Sequence, residues 1–209
     1  LPFPFSDQQR AWLIITIYMS VMAWTYAVGS VFAMTTDRTF RRTVARNVFR
    51  WQVKRLSEPF FVICGAGRSA LALAQALDQL GHRLVVVEIS DERATRFALN
   101  EFLSPPLILE ADAVHPGSLK DAGIHRRICR GVIALTSDER ANQTIAIGAK
   151  LLRDDITVIA RVSDAEGATN LHAFGDVHAI NPFQVLATNL SLDIAAPEVL
   201  RLEDWVTAA

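Results

Sequence analysis

The fold of this chain is decided by residues 60–88, which read FFVICGAGRSALALAQALDQLGHRLVVVE. An apolar run, Phe60–Cys64, leads into a glycine-rich turn, and an amphipathic segment, Leu71–Leu80, follows the turn. A second apolar run, Leu84–Val87, ends at Glu88. Short apolar runs without polar alternation are typical of strands that are buried on both faces of a parallel sheet. The order of these segments therefore predicts a strand, a turn, a helix and a second strand.

The turn after the first strand has the glycine spacing of a phosphate-binding loop, Gly65-Ala66-Gly67-Arg68-Ser69-Ala70. Gly65 permits a tight turn, Gly67 lets backbone N–H groups approach a pyrophosphate, and Ala70 takes the third small position, where helix meets strand. The N-terminus of the helix then directs its partial positive charge toward the phosphates. With a strand before it and a helix after it, this turn predicts a site for a dinucleotide or an adenosine nucleotide.

Glu88 is the candidate ribose-binding residue, since it lies at the end of the second predicted strand. An acid at this place accepts hydrogen bonds from the ribose hydroxyls. Its charge repels a 2′-phosphate, so Glu88 favours NAD(H) or an adenine nucleotide over NADP. The alternative for the whole stretch is a fold of the same type whose cleft is empty.

Strand and helix patterns alternate through the rest of the chain. Further helices are predicted at Asp91–Phe102, Ser118–Gly123, Asp138–Leu152, Asp164–Phe174 and Asn181–Ile194. Further strands are predicted at Leu107–Leu109, Gly131–Thr136, Ile156–Val162 and Val177–Ile180. Strict alternation of this kind predicts an α/β fold with a Rossmann-like, doubly wound parallel sheet.

The N-terminal region, residues 1–36, is predicted to form one transmembrane helix. Residues 11–36 carry no charged side chain. As a helix they would extend about 39 Å at ~1.5 Å per residue, which exceeds a hydrocarbon core of roughly 30 Å. A signal peptide and a buried helix of a soluble domain are the alternatives. The apolar run is longer than that of a signal peptide, and a basic block follows it.

The basic block indicates orientation and a helical connector, residues 37–58. Its cationic residues are Arg38, Arg41, Arg42, Arg46, Arg50, Lys54 and Arg55, and Asp37 is the only acid before Glu58. By the positive-inside rule this side of the membrane is cytoplasmic. Apolar residues recur through the block at helical spacing, at Phe40, Val44, Val48 and Trp51. The connector is expected to end at Ser57-Glu58-Pro59, because a residue before proline disfavours the helical conformation.

Neither the composition nor the spacing of the reactive side chains indicates catalysis. Lys and Arg number 21 and Asp and Glu 22, so the net charge gives no indication of nucleic acid as a partner. Two cysteines, Cys64 and Cys129, are too few for a disulfide framework or a zinc site. None of the five histidines has a recognised catalytic or metal-ligand spacing. We therefore expect no catalytic residue, no metal and no enzymatic activity, and interpret the nucleotide site as a sensor.

Residues 59–196 resemble the RCK domain, the regulator of potassium conductance that is also called TrkA-N or KTN. The matching segments are FVICGAGR (61–68), VVE (86–88), EADA (110–113), GVIALT (131–136) and VIAR (158–161). The glycine motif is shared with many folds, whereas the EADA and ALT segments make the resemblance more specific. It implies cytosolic domains that pair, and often form a ring, beneath a potassium channel or transporter. Residues 197–209 form a tail with no clear signal.

The resemblance also implies roles for individual residues. The implied contacts are Gly65, Gly67 and Arg68 for the phosphates, Glu88 for the ribose, Asp112 and Ala113 for the adenine side, and Thr136 for the floor of the cleft. The complete set of predicted nucleotide-binding residues is Gly65, Ala66, Gly67, Arg68, Ser69, Ala70, Glu88, Ile89, Asp112, Ala113 and Thr136.

The leading functional hypothesis is a nucleotide-sensing regulatory domain of a potassium channel or potassium uptake system. Its ligand is predicted to be NAD(H), or ADP or ATP, bound without chemistry. The expected partners are potassium ions in a pore, the membrane and further copies of the chain, as a pair, a tetramer or a ring. The expected location is the cell inner (plasma) membrane, with the nucleotide-binding domain in the cytoplasm.

The apolar N-terminal helix resembles the inner, pore-lining helix of such a channel. The 209 residues contain no selectivity-filter motif such as Thr-Val-Gly-Tyr-Gly and no second RCK lobe with its divalent-cation sites. Both gaps are expected of a fragment that begins just after the filter. The alternative functions are the regulatory C-terminal domain of a cation–proton antiporter and a membrane-anchored NAD-dependent oxidoreductase. The lack of an obvious proton donor counts against the oxidoreductase.

Overall fold

The computed structural model describes residues 6–36, 38–163, 165–172 and 174–195. The chain divides into two compact units, Leu1–Val48 and Phe49–Ala209. The helices are α1 Asp7–Thr36, α2 Arg38–Arg55, α3 Arg68–Gln79, α4 Asp91–Ala98, α5 Pro116–Asp121, α6 Glu139–Leu152, α7 Ala165–His172 and α8 Pro182–Ala195. The strands are β1 Phe60–Cys64, β2 Arg83–Glu88, β3 Leu107–Glu110, β4 Cys129–Ala134, β5 Thr157–Arg161 and β6 Val177–Ile180.

Helix α1 contains a stretch, Asp7–Phe32, that is long and apolar enough to cross a membrane. The side chains of this stretch are exposed along its whole length. Three hydroxyls in it, those of Thr16, Ser20 and Thr25, donate to backbone carbonyls one turn earlier at 2.8, 2.7 and 2.8 Å. Such bonds satisfy polar groups within the helix itself, as a hydrocarbon environment requires.

Helix α2 carries the basic connector and ends at Arg55, ahead of Pro59. Asp37, where the connector was expected to continue from α1, lies outside the described residues. The last turns of α2 belong to the second unit, because Phe49 and Val53 are 4% and 2% exposed in its core. The guanidinium of Arg126 donates to the carbonyls of Val53 and Leu56. The Val53 carbonyl also accepts from the N–H of Leu56, and the two bonds from Arg126 fasten this end of α2 to the rest of the second unit.

The six strands form one parallel sheet in the order β3-β2-β1-β4-β5-β6. Strand β1 lies between β2 and β4, so Val62 is paired with Val85 on one side and Val132 on the other. This arrangement confirms the predicted Rossmann-like, doubly wound sheet. The strand order reverses between β1 and β4, and at such a point the carboxyl ends of the strands leave a crevice for ligands.

Two hydrophobic layers cover the faces of the sheet. Successive side chains of a strand point to opposite faces. Val62 therefore packs in one layer with Ile145 of α6. Its neighbour Ile63 packs in the other layer with Ala70 of α3 and Phe97 of α4. Because β1 is covered on both sides, it needs the continuous apolar run that its sequence provides.

Helix α4 ends at Ala98, earlier than the predicted Phe102. The side-chain amide of Asn100 donates to two carbonyls of the last turn, at 2.9 and 3.2 Å. The buried carboxylate of Asp78 accepts from the N–H groups of Leu103 and Ser104. The Asn100 bonds close the last turn of α4, and the Asp78 bonds fix the loop at residues 103–104, just beyond the predicted end of the helix.

Strand β4 begins at Cys129 and not at the predicted Gly131. Cys129 pairs with Phe60, and the register shifts just after this pair. The irregularity places an additional residue, Arg130, on the β4 side, which a pattern of apolar residues does not reveal. The predicted tail, residues 197–209, lies outside the described residues.

Candidate nucleotide-binding site

A cleft of about 310 Å³ opens at the carboxyl ends of β1, β2 and β4. Four chain segments line it: the end of β2 at residues 87–89 and the loops at residues 65–67, 111–114 and 135–138. The side chains of Arg93, Ala141 and Ile145 complete the lining. The volume lies at the lower end of the range of about 300–1,000 Å³ that is usual for small-ligand pockets.

Gly65 makes the tight turn after β1 for two independent reasons. Its φ of 104° lies in the left-handed region, which side chains disfavour. A Cβ atom would also lie 3.0 Å from the carbonyl oxygen of Leu135 and 3.1 Å from the Cα of Thr136. The N–H of Gly65 donates to the carbonyl of Val87 at 2.8 Å. The turn is thus fixed between the ends of β2 and β4.

Gly67 has no such structural requirement. Its φ of −80° and ψ of 179° are open to any residue, and a Cβ would meet nothing within 4 Å. Gly67 is the N-cap of α3 and makes no side-chain capping bond, so it does not occupy the first N–H groups of the helix. Open space beside uncapped N–H groups suits a phosphate that must approach the backbone closely.

Glu88 lies opposite this turn and is 4% exposed. Its Oε2 accepts from the N–H of Ala66 at 2.7 Å, and its Oε1 accepts from the N–H of Ser90 at 2.9 Å. Burial opposes ionisation of this carboxyl, but the hydrogen bonds from Ser90, Arg93 and Ala66 outweigh burial and hold the pKa of Glu88 below its usual value. The cleft therefore carries an ionised carboxylate in direct contact with the glycine turn.

Arg93, in the first turn of α4, is a cleft residue that the sequence did not predict. Its Nε and Nη2 both donate to Oε1 of Glu88, at 3.0 and 2.7 Å. The side chain is 49% exposed. A basic residue in the first turn of the helix that follows the acid is a weak signal, and only the fold brings the two side chains together.

The loop after β3 contributes the predicted adenine side. The N–H of Ala111 donates to the carbonyl of Glu88 at 2.9 Å, which holds this loop beside the end of β2. Asp112 accepts from the N–H of Val114 at 2.9 Å through Oδ1, and Ala113 lies beside it in the lining. The Asp112 carboxylate thus shapes the turn while facing the cleft.

Thr136 is positioned by Asn142, a fully buried side chain of α6 that the sequence analysis missed. Oδ1 of Asn142 accepts from the Thr136 N–H at 2.8 Å. Its Nδ2 donates to the carbonyls of Thr136 and Arg161 at 3.2 and 3.1 Å. One amide therefore joins the loop after β4 to the end of β5. A polar residue on the apolar face of a predicted helix is the signal that indicates such a role.

The predicted residues fall into two groups. Those that line the cleft are Gly65, Ala66, Gly67, Glu88, Ile89, Asp112, Ala113 and Thr136. The others lie in the first turn of α3: Arg68 and Ser69 are exposed there, and Ala70 is fully buried. Ala70 packs under the turn, so its small size serves the close approach of helix and sheet.

The two cysteines lie in the core, away from solvent. Burial, with a contribution from Cys129, raises the pKa of Cys64 to about 12. Burial also raises the pKa of Cys129 to about 11, against the effect of nearby Arg153. Since the thiolate is the nucleophilic form, both thiols are inert at neutral pH. Within the described part of the chain, no three His, Cys, Asp or Glu side chains are grouped so as to hold a metal ion.

A sequence model of the TrkA-N domain matches residues 61–182. The chain belongs to the TrkA-N domain family. The matched residues run from β1 to the start of α8, so this TrkA-N domain contains the parallel sheet and the whole cleft. The resemblance drawn from the glycine turn and the EADA segment is confirmed.

Two relatives of this TrkA-N chain are potassium-transport proteins. It is 25% identical over 189 residues to potassium channel protein 1 of Methanocaldococcus jannaschii, covering 90% of this chain and 55% of that protein. It is 29% identical over 144 residues to a Trk system potassium uptake protein TrkA homolog of Pyrococcus horikoshii, covering 66% and 60%. The chain thus spans little more than half the length of these two relatives.

A solved structure, the GsuK channel bound to NAD, has a similar fold. The TM-score is 0.56 at 16% sequence identity, and the match covers 90% of this chain and 33% of that one. At this identity the likeness concerns the fold.

Proposed function

We propose that residues 59–196 form the nucleotide-sensing regulatory domain of a potassium channel or potassium uptake system. The observation that carries the proposal is the pairing of two features on one turn. Gly67 leaves the N-terminus of α3 uncapped beside open space. Glu88 holds an ionised carboxylate 2.7 Å from the N–H of Ala66. The proposed phosphate site and the proposed ribose acceptor thus lie at the same turn.

NAD(H), ADP or ATP is the proposed ligand. Each combines phosphates with an adenosine ribose, which the glycine turn and Glu88 suit. The fold likeness to the NAD-bound GsuK channel supports the same assignment. The predicted residues Arg68 and Ser69 belong to the phosphate side, Ile89 to the ribose side, and Asp112, Ala113 and Thr136 to the remainder of the cleft.

The ligand acts as a signal and undergoes no reaction in this proposal. Hydride transfer needs a substrate and a proton donor beside the nicotinamide. The ionisable side chains of the lining are Glu88, Arg93, Asp112 and Asp138, and Glu88 is held in its ionised form by its hydrogen bonds. The relatives named as a potassium channel and a potassium uptake protein support a regulatory role.

The signal would reach the membrane through the connector, residues 37–58. The last turns of α2 are built into the domain by Phe49, Val53 and the hydrogen bonds of Arg126. Arg50 adds an ion pair to Asp121, at the end of α5, with Nε and Oδ1 3.2 Å apart. Toward the N-terminus, the apolar stretch Asp7–Phe32 serves as the membrane helix, residues 1–36. A shift of the domain would therefore move the last turns of α2 with it.

The proposed assembly contains several copies of the chain, paired or in a tetramer or ring. One membrane helix cannot enclose a pore by itself. Helix α8 presents exposed apolar side chains, among them Phe183, Leu186 and Leu190 at 63, 56 and 52% exposure, which suit contact with another copy. The assembly would lie in the plasma membrane, with the nucleotide-binding domains in the cytoplasm.

Gating requires that a nucleotide bind the open and closed assemblies with different affinities, since equal affinities do not shift the equilibrium between them. A tenfold difference per site corresponds to about 1.4 kcal/mol. The test is potassium flux from vesicles that carry the full-length protein, with and without NAD, NADH, ADP or ATP. The proposal expects at least one nucleotide to change the flux severalfold. A flux that is the same with and without each of the four nucleotides would contradict gating. A flux that requires a proton gradient would favour an antiporter.

A further inference from the structure

The two oxygens of the Glu88 carboxylate are engaged very differently. Oε1 accepts three hydrogen bonds, from the N–H of Ser90 and from Nε and Nη2 of Arg93, at 2.9, 3.0 and 2.7 Å. Oε2 accepts one, from the N–H of Ala66 at 2.7 Å. A carboxylate oxygen has about two lone-pair sites. Oε1 is therefore saturated, whereas Oε2 keeps room for one ribose hydroxyl.

Arg93 brings a full positive charge to the same place. Its side chain lines the cleft and is 49% exposed. In the contacts that the structure describes, two of the five guanidinium N–H groups are used, both on Glu88. The remaining donors are available to a ligand, and a guanidinium is the side chain best matched to a phosphate.

The pairing changes the electrostatics that Glu88 alone would impose. An unpaired acid at the end of this strand repels a 2′-phosphate, whereas an arginine close to the ribose accommodates one. Here the two side chains form an ion pair, so their net charge at the ribose position is close to zero.

We propose that Arg93 makes this cleft tolerant of a phosphate on the ribose 2′ position, so that it binds NADP(H) as well as NAD(H). The inference rests on the proposed nucleotide site and names its ligand class more closely. It differs from the sequence-based expectation that Glu88 disfavours NADP, because that expectation took no account of Arg93. If Arg93 only supported Glu88, its replacement would weaken NAD and NADP binding equally.

The experiment is isothermal titration of the whole chain in lipid nanodiscs with NAD⁺ and with NADP⁺. The measured quantity is the ratio of the two dissociation constants, NADP⁺ over NAD⁺. The wild-type ratio is expected to stay within about tenfold of one, which is about 1.4 kcal/mol. Arg93→Gln should raise the ratio at least tenfold, because it leaves the Glu88 charge unopposed. Arg93→Lys keeps the charge and should give an intermediate ratio.

Arg96→Gln is the matched control. Arg96 lies on the same helix, pairs with Glu92 at 2.6 Å and is 72% exposed outside the cleft lining. This variant should leave the ratio unchanged. Thermal unfolding of each variant identifies any that fail to fold, and Arg93→Lys then decides in place of Arg93→Gln.

The possible failures are distinguishable. If the folded wild-type chain binds neither nucleotide, the proposed nucleotide site itself is wrong. If NAD⁺ binds but NADP⁺ binds more than a hundredfold less tightly, the cleft rejects the 2′-phosphate and the inference about Arg93 is overturned. It is equally overturned if both nucleotides bind and the substitutions at Arg93 leave the ratio unchanged.

Discussion

Val53, in the last turn of the connector helix α2, packs directly against Gly123, which follows α5. The Cγ1 of Val53 would lie only 2.7 Å from a Cβ on Gly123. The segment that leads to Gly123 starts at residues 111–114, which form part of the cleft lining. A short segment, residues 111–123, therefore joins the candidate nucleotide site to the connector, and under the proposed function a ligand that moves one end of this segment would act on the other.

Replacing Gly123 by alanine tests how closely the connector is packed. Gly123 has a φ of 85°, and the new Cβ would also lie 3.2 Å from the Cζ of Phe60. We expect Gly123→Ala to lower the free energy of unfolding by about 2–4 kcal/mol, from backbone strain and overpacking together. Guanidinium unfolding in detergent, followed by circular dichroism, measures the loss.

Gly81→Ala is the control for backbone strain alone. Its φ of 79° is nearly the same, but a Cβ there meets nothing within 4 Å. The expected loss is about 1–2 kcal/mol. Equal losses at Gly123 and Gly81 would show that Val53 yields easily and that the contact is loose.

Removing the Arg126 guanidinium tests whether the end of α2 carries the signal. Arg126→Met cuts the hydrogen bonds to the carbonyls of Val53 and Leu56 but touches no residue of the cleft lining. We expect nucleotide affinity to change less than threefold, while the nucleotide-dependent change in potassium flux falls at least severalfold. Titration and vesicle flux on the same preparation measure the two quantities. Arg127→Met, at an exposed neighbouring position, should change neither; full gating in Arg126→Met would place the coupling elsewhere.

Replacing Asn142 by leucine tests how much its buried amide stabilises the fold at the floor of the cleft. Asn142→Leu leaves the N–H and carbonyl of Thr136 and the carbonyl of Arg161 without this partner. Unsatisfied buried polar groups are costly, so we expect a loss of about 2–4 kcal/mol in unfolding free energy. Thr144→Val, on an exposed position of the same helix, removes only a bond to the Arg140 carbonyl and should cost about 0.5 kcal/mol or less. Similar losses in the two variants would mean that the amide network contributes little.

The Glu88 carboxylate predicts a specific pH dependence of stability. Its pKa is lower in the folded chain than the ordinary value of 4.5. A lowered pKa means that the carboxylate stabilises the fold fully above about pH 4.5 and that this contribution disappears as pH falls through the folded-state pKa. Wild type should exceed Glu88→Gln in unfolding free energy by about 1–3 kcal/mol at pH 7. The difference should shrink below about pH 4.5.

The control for this titration is Glu92→Gln. Glu92 is 80% exposed and forms a surface pair with Arg96, so its removal should change stability only slightly at any of these pH values. A Glu88→Gln difference that is constant from pH 7 down to pH 3 would contradict an ionised, hydrogen-bonded Glu88.

The features that the sequence predicted well are those set by neighbouring residues. The β1–α3–β2 unit follows from two apolar runs, a glycine turn and an amphipathic segment, and the parallel sheet follows from alternation. Gly65 illustrates the reason, because its need for a positive φ is a local property. The position of Glu88 at a strand end was likewise readable from the pattern of residues 84–88.

The features that the sequence did not predict depend on contacts between distant residues. Asp78 fixes the loop after α4 by accepting from the N–H groups of Leu103 and Ser104, which are far away in the chain. Asn142 becomes important only when α6 packs beside the end of β5. Arg93 reaches Glu88, the proposed ribose acceptor, only because α4 begins close to this carboxylate. Each of these requires the assembled fold.

The proposed function requires that the cleft bind an adenine nucleotide against the Gly67 turn. The direct measurement is titration of the whole chain in nanodiscs with NAD⁺ and with ADP, for wild type and for Gly67→Ala. A Cβ at Gly67 meets no protein atom within 4 Å, so this variant should unfold at the wild-type temperature or slightly above it. We expect wild type to bind at least one of the two nucleotides and Gly67→Ala to bind it at least tenfold less tightly. Wild-type affinity in a folded Gly67→Ala variant, or no binding by wild type, would contradict it.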